Sequence, residues 1–155
     1  MAKSTMKVLL VCSSGGHFKG LQQLRSFWEN YDRVWVSFNT ATTQAALNEE
    51  TVYWAYSPTN RNFPNLLRNL YLAFKVIRET KPDLIVSTGA GVAVPFLIMG
   101  KLFGSQTVFI ESVTRIHTLS LSARLVLPFL SLLYVQWPQL QARYPQAELI
   151  SPQES

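Results

Sequence analysis

The run Met6-Lys7-Val8-Leu9-Leu10-Val11-Cys12-Ser13-Ser14-Gly15-Gly16-His17 sends an apolar strand straight into small residues, two glycines and a histidine. That order points to an open α/β sheet, in which ligands bind at the carboxyl ends of the strands. There a following helix offers unpaired backbone N–H groups and the positive end of its dipole. Phe18-Lys19-Gly20 does not complete GxGxxG, and no GxxxxGK[ST] occurs. An imidazole stands where a dinucleotide fold would carry a bland turn residue.

Further apolar runs bounded by turn signals recur at Lys7–Cys12, Arg33–Phe38, Thr51–Tyr56, Asp83–Ser87, Thr107–Glu111 and Leu132–Gln136. Helical patterns lie between them. Gly16–Glu29 carries Phe18, Leu21, Leu24, Phe27 and Trp28 on one face, and Thr40–Asn48 is a short Ala-rich helix. Pro64–Lys81 is a long helix with Pro in its first turn and Lys81-Pro82 at its close; Gly91–Phe103 is almost wholly apolar, with Gly104 as its cap. Two more helices are expected near Leu119–Leu127 and Pro138–Tyr144. Apolar strands alternating with helices imply a Rossmann-like α/β domain, with a mostly parallel sheet of about six strands covered on both faces.

A chain of 155 residues supports one well-buried core. The expected domain is 1–150, with Ser151–Ser155 as a polar tail. With 14 Lys+Arg against 9 Asp+Glu the formal charge is +5, which favours anionic partners. Nucleic acid is not expected among them, because the basic residues are scattered. The one cysteine, Cys12, excludes an internal disulfide or a cysteine zinc site, and its place on an apolar strand reads as a buried thiol in preference to a nucleophile. The apolar run Val8–Cys12 is too short for a signal-peptide core. The richest apolar stretch, Leu125–Val135, has 11 residues and contains Pro128 and Ser131, short of the roughly 18 that a spanning helix needs. The expectation is a cytoplasmic protein that meets a membrane, if at all, by lying on it.

Three strand ends should gather at one edge of the sheet. They are Ser13-Ser14-Gly15-Gly16-His17, then Ser87-Thr88-Gly89-Ala90-Gly91, then Glu111-Ser112 leading to Arg115 and His117. Each also has a plain reading: tight turns for the glycines, a cap or packing role for His17, an ion pair between Glu111 and Arg115, and a solvated His117. No spacing supports a metal site.

A second signal is Asn60-Arg61-Asn62-Phe63 and the helix after it. Arg68 and Lys75 share a face with Arg78 about 80° round, while Leu66, Leu67, Leu70, Phe74 and Ile77 supply the apolar side. Either these charges simply face water, or Arg61, Arg68, Lys75 and Arg78 meet anionic lipid or the diphosphate of a lipid-linked substrate. Leu125–Val135 reads as core or as a second membrane-facing patch, and Trp137 as core or as a partner contact.

Taken in order, Ser13-Ser14-Gly15-Gly16-His17, Ser87-Thr88-Gly89-Ala90-Gly91, Ile110-Glu111-Ser112 with Arg115, Leu119-Ser120-Leu121, and Val135-Gln136-Trp137 with Tyr144-Pro145 resemble the acceptor-side subunit of split family 28 glycosyltransferases. In eukaryotes that subunit anchors the dolichol-linked N-acetylglucosaminyltransferase, and bacterial relatives serve exopolysaccharide and capsule synthesis. The likeness runs from about Lys7 to Pro145. It implies the N-terminal half of a GT-B fold that binds a lipid-diphosphate-linked acceptor at the membrane, completed by a separate subunit holding the nucleotide sugar, a UDP-sugar. A more distant resemblance is to the N-terminal lobe of the enzyme that glycosylates the peptidoglycan lipid precursor, in which a histidine and a strand-end glutamate line the acceptor cleft. The matching positions are His17 and Glu111. The eukaryotic subunit carries an N-terminal membrane anchor, so here peripheral attachment to the cytoplasmic face is expected instead.

On that basis His17 is the expected base for an acceptor hydroxyl, with Glu111 orienting it or binding the acceptor sugar. Backbone N–H groups of Gly15, Gly16, Gly89 and Gly91, with Ser14, Thr88, Ser112 and Arg115, are expected to hold acceptor and phosphate oxygens. No cofactor or metal is expected. The competing readings are a non-catalytic membrane adaptor for a glycosyltransferase and a single-domain nucleotide-binding protein.

Overall fold

The computed structural model describes residues 4–150, so the expected tail at 151–155 lies outside the described residues. Strands β1 (Ser4–Cys12), β2 (Tyr31–Phe38), β3 (Val52–Ala55), β4 (Leu84–Gly89), β5 (Gln106–Ile110), β6 (Leu132–Val135) and β7 (Glu148–Leu149) form one sheet in the order β3-β2-β1-β4-β5-β6-β7. Every pairing is parallel. The doubly wound domain expected from the alternating pattern is therefore present, with a seventh strand added. β1 pairs Val8–Val11 with Arg33–Val36 on one side and with Leu84–Ser87 on the other, and its residues from Val8 to Cys12 are fully buried. Strand order reverses between β1 and β4, which makes their carboxyl ends the natural mouth of a crevice.

The two faces have separate cores. One is built on Phe18, Leu21, Trp28, Trp35 and Leu47, under helices α1 (Gly16–Gln22), α2 (Arg25–Trp28) and α3 (Ala41–Ala46). The other joins Ala73, Val76, Phe96, Leu97, Ala123, Val126 and Leu140, under α4 (Phe63–Thr80), α5 (Ala93–Leu102), α6 (Leu121–Val126) and α7 (Pro138–Arg143). Thr40 caps α3 through a reciprocal box with Thr43, Asn62 caps α4, and Ser120 caps α6. Gly104, at φ +90°, closes α5 in the left-handed conformation that glycine takes without steric cost.

Four expectations are corrected. The single helix at Gly16–Glu29 is two, because the Trp28 indole turns back to donate to the Leu21 carbonyl at 2.9 Å, which breaks the helical ladder. Phe27 is consequently 40% exposed and lies off the core. The seventh strand, Glu148–Leu149, is two exposed residues long and carries no periodic signal. Finally, α4 is turned relative to its expected face. Asn65, Asn69, Ala73, Val76 and Ile77 point inward, whereas Leu66, Leu67 and Leu70 are exposed.

Cys12 is buried at the end of β1, beside the Ser37 hydroxyl. Burial pushes its thiol up to about 12, so it remains protonated and is no nucleophile. Leu125–Val135 divides between the end of α6, a 3₁₀ turn and β6, with Val126, Leu133 and Val135 in the core and Leu125 exposed. Among the described residues no helix is long and apolar enough to cross a membrane.

Candidate functional site

At the switch point the ends of β1 and β4 are knitted together. Ser13 N–H donates to the Gly89 carbonyl at 3.0 Å, and Thr88 Oγ1 donates to the His17 carbonyl at 2.6 Å. The His17 ring answers in the other direction, with Nδ1 2.8 Å from the Thr88 carbonyl. His17 and Thr88 are 71 positions apart in the chain and bonded twice. Gly15, which caps α1 at φ +76°, and Gly16 are exposed, and a Cβ on either would meet open space. At Gly89 a Cβ would lie 3.0 Å from His17 Nδ1 and 3.1 Å from its Cε1. The glycine therefore makes room for the imidazole. Its own N–H is already donated to Ser87 Oγ at 3.0 Å, so the expected use of that N–H for a phosphate oxygen is corrected.

The third strand end is organised by Glu111, which is 2% exposed. Its Oε1 accepts from Ser112 N–H at 3.0 Å and its Oε2 from Ser120 N–H at 2.8 Å, so the carboxylate spans the loop and ties it to the start of α6. Neither oxygen is bonded to Arg115 or to His17. β5 stands two strands from β1, about 10 Å away at ordinary strand spacing, and the Thr88 carbonyl orients His17 instead. Among the described residues the ion pairs are Lys7–Asp32, Arg25–Glu29 and Arg33–Glu50, which leaves Arg115 exposed and outside them. Ser112 turns its hydroxyl onto Thr114, and Ser14 sits half-buried with its carbonyl accepting from Ser13. Gln136 donates to the Glu111 carbonyl, the Trp137 indole to the Val113 carbonyl and Arg143 to the His117 carbonyl, so β6 and α7 pin the same loop.

A fourth wall comes from the β3–α4 loop, the segment expected to meet anionic lipid or the diphosphate of a lipid-linked substrate. Gly91 lies against Thr59, whose Oγ1 is 3.0 Å from where a Cβ would stand. Two buried amides hold this loop. Asn69 accepts from Tyr56 N–H at 2.8 Å and donates to the Tyr56 carbonyl at 2.9 Å, while Asn65 donates to the Pro58 carbonyl at 2.9 Å. Arg68 in turn donates to Asn65 Oδ1 and lies 5.9 Å over the Tyr56 ring. Arg68 is thus fixed against the loop, whereas Lys75 and Arg78 stand exposed further along α4, Arg78 over Phe74. Arg61 is exposed in the loop itself, at φ +50°.

The amide bracket was missed because Asn in a helix reads as a solvent residue. The signal available was its spacing: Asn65 and Asn69 head the row that continues through Ala73, Val76 and Ile77. Asn69→Ala should cost about 1–3 kcal/mol, since both backbone groups of Tyr56 lose their partner. A urea midpoint shifted down at unchanged slope is the expected measurement.

The groove of about 680 Å³ lined by Ile77, Arg78, Lys81, Asp83, Phe103 and Gln106 lies at the amino edge, away from these strand ends. Among the described residues no three His, Cys, Asp or Glu side chains come together as metal ligands would.

Known proteins share parts of this chain. The family described as "Oligosaccharide biosynthesis protein Alg14 like" matches residues 56–152. The human "UDP-N-acetylglucosamine transferase subunit ALG14" is 33% identical over 87 residues, which cover 52% of this chain and 40% of the human protein. The matched segment is thus less than half of that relative's length. Among solved structures, MurG of Acinetobacter baumannii superimposes with a TM-score of 0.68 at 15% identity, over 86% of this chain and 42% of MurG. A UDP-GlcNAc 2-epimerase from Methanocaldococcus jannaschii gives 0.74 at 14% identity, over 94% and 45%. At such identities these two show a shared Rossmann-like fold of the GT-B kind.

Proposed function

The chain belongs to the Alg14-like family of oligosaccharide biosynthesis proteins, and on that premise we propose that it is one subunit of an inverting, two-chain glycosyltransferase that uses a UDP-sugar. It binds the lipid-diphosphate-linked sugar acceptor, and a donor-binding partner supplies the opposing wall of the cleft and most contacts to the nucleotide. The observation that carries this reading is the His17 imidazole, bonded to the end of β4 at the point where strand order reverses. The name of the human relative, a UDP-N-acetylglucosamine transferase subunit, supports the donor class and the need for a partner.

The chemistry assigns work to this chain's residues as follows. An acceptor hydroxyl attacks the anomeric carbon of the donor, and its proton passes to His17 Nε2 as the new C–O bond forms. The bond from that carbon to the diphosphate breaks, and its electron pair leaves with the nucleoside diphosphate. Exposed N–H groups at Gly15 and Gly16, with Gly91, Arg115 and the Arg61 and Arg68 pair at the neighbouring loop, hold the acceptor's phosphates. Glu111 acts chiefly by shaping the Ser112–Ser120 loop against the acceptor sugar, since both its oxygens are committed to backbone N–H groups.

Attachment to the cytoplasmic face of the membrane is assigned to α4. Phe63, Leu66, Leu67, Leu70 and Tyr71 are exposed beside Arg68, Lys75 and Arg78, a combination suited to an anionic lipid interface. Reconstitution tests the whole reading. The chain and its donor-binding partner, given UDP-sugar and lipid-diphosphate acceptor, should form the glycosidic bond, and neither should do so alone. Full turnover by this chain alone would overturn the two-chain assignment.

A further inference from the structure

We infer that Thr88 and Gly89 form a positioning pair that sets the tautomer and facing of His17, making Nε2 the one nitrogen able to accept a proton. This rests on the reading of His17 as the base and specifies how the fold prepares it. A backbone carbonyl only accepts hydrogen bonds, so the 2.8 Å contact from the Thr88 oxygen requires the proton of the neutral ring to sit on Nδ1. The lone pair then resides on Nε2, because the bond made by one ring nitrogen decides the state of the other. No hydrogen bond within the described residues reaches Nε2, and His17 is half-buried at the crevice mouth.

The same residue holds the ring's backbone. Thr88 Oγ1 donates to the His17 carbonyl at 2.6 Å, so the first turn of α1 cannot slide along β4 without losing this bond and the ring contact together. Gly89 completes the seat. Its φ of +107° suits glycine, and its missing Cβ is what admits the Nδ1–Cε1 edge of the imidazole. Thr88 is thus a positioning residue acting through His17, and its hydroxyl is spent on the protein instead of on a ligand.

The test reads tautomer and turnover separately. In the reconstituted complex, ¹⁵N spectra of labelled histidine should place the His17 proton on Nδ1 at neutral pH. Thr88→Val keeps the shape and the carbonyl but removes the hydroxyl that holds the His17 backbone against β4, so the Nδ1 contact should slacken, giving mixed tautomers and a kcat lower on the order of tenfold at little-changed KM. Thr88→Ser should restore both. A wild-type ring protonated on Nε2, or a Thr88→Val complex with wild-type tautomer and rate, would overturn the inference. Wild-type turnover by a His17→Ala complex would instead remove the base reading on which it rests, so the two failures are distinguishable.

Discussion

His17→Ala, assembled with the donor-binding partner, should lower kcat by about 10²–10⁴, the usual contribution of a positioned general base, while KM for the lipid-linked acceptor stays near its wild-type value. The split follows from the site. The ring is bonded to Thr88 and not to a substrate-binding cluster, so its loss removes an interaction needed when the proton moves more than one needed when acceptor docks. His17→Asn is the informative companion. Its amide can still donate to the Thr88 carbonyl and keep the loop in place, yet it has no basic nitrogen, so it should be as slow as His17→Ala. If Asn instead restored the rate, the histidine would be structural. If both variants kept full turnover, the chain would be better described as a membrane adaptor for a partner that performs the chemistry itself.

How far the sequence anticipates these relationships depends on the range over which they act. Apolar runs such as Val8–Cys12 and Ile85–Ser87 announce central parallel strands, because both faces of the sheet are covered and each position must be apolar or small. Convergence of the three strand ends also follows from parallel alternation. The partnership of His17 with Thr88 does not, since it depends on β4 lying next to β1, a matter of sheet order and not of local pattern. Glu111 misled for a related reason: Arg115 is its nearest cation in sequence, but two backbone N–H groups occupy its oxygens in the fold. On α4 hydrophobicity pointed the wrong way. Asn65 and Asn69 are buried because the β3–α4 loop needs partners for its backbone, and that places leucines in water.

The exposed apolar face of α4 carries the other large expected effect: Leu67→Glu combined with Tyr71→Glu should abolish sedimentation of the chain with anionic vesicles. Leu67 is 51% exposed and Tyr71 72%, so neither contributes enough to the core for its replacement to unfold the protein, and a wild-type urea midpoint should confirm it. Full burial of an apolar side chain of this size contributes about 1.5–3 kcal/mol, so even half-embedded side chains supply roughly four- to twelvefold in partitioning each, before the cost of immersing a carboxylate. Charge reversal at Lys75 and Arg78 should act more weakly and only on anionic vesicles, since each cation near such a surface is worth about 1 kcal/mol and salt screens it. The stripe continues from Phe63 through Leu70 and Phe74 to Phe103, whose ring stands 5.8 Å from that of Phe74. α4 starts beside the loop that rests on Gly91. A helix lying in the interface there would bring the crevice mouth to the depth of lipid phosphates, so the glutamate pair should slow turnover on vesicle-borne acceptor while sparing a short-chain, water-soluble one. Equal loss on both acceptors would mean that α4 serves the site directly and not through the membrane.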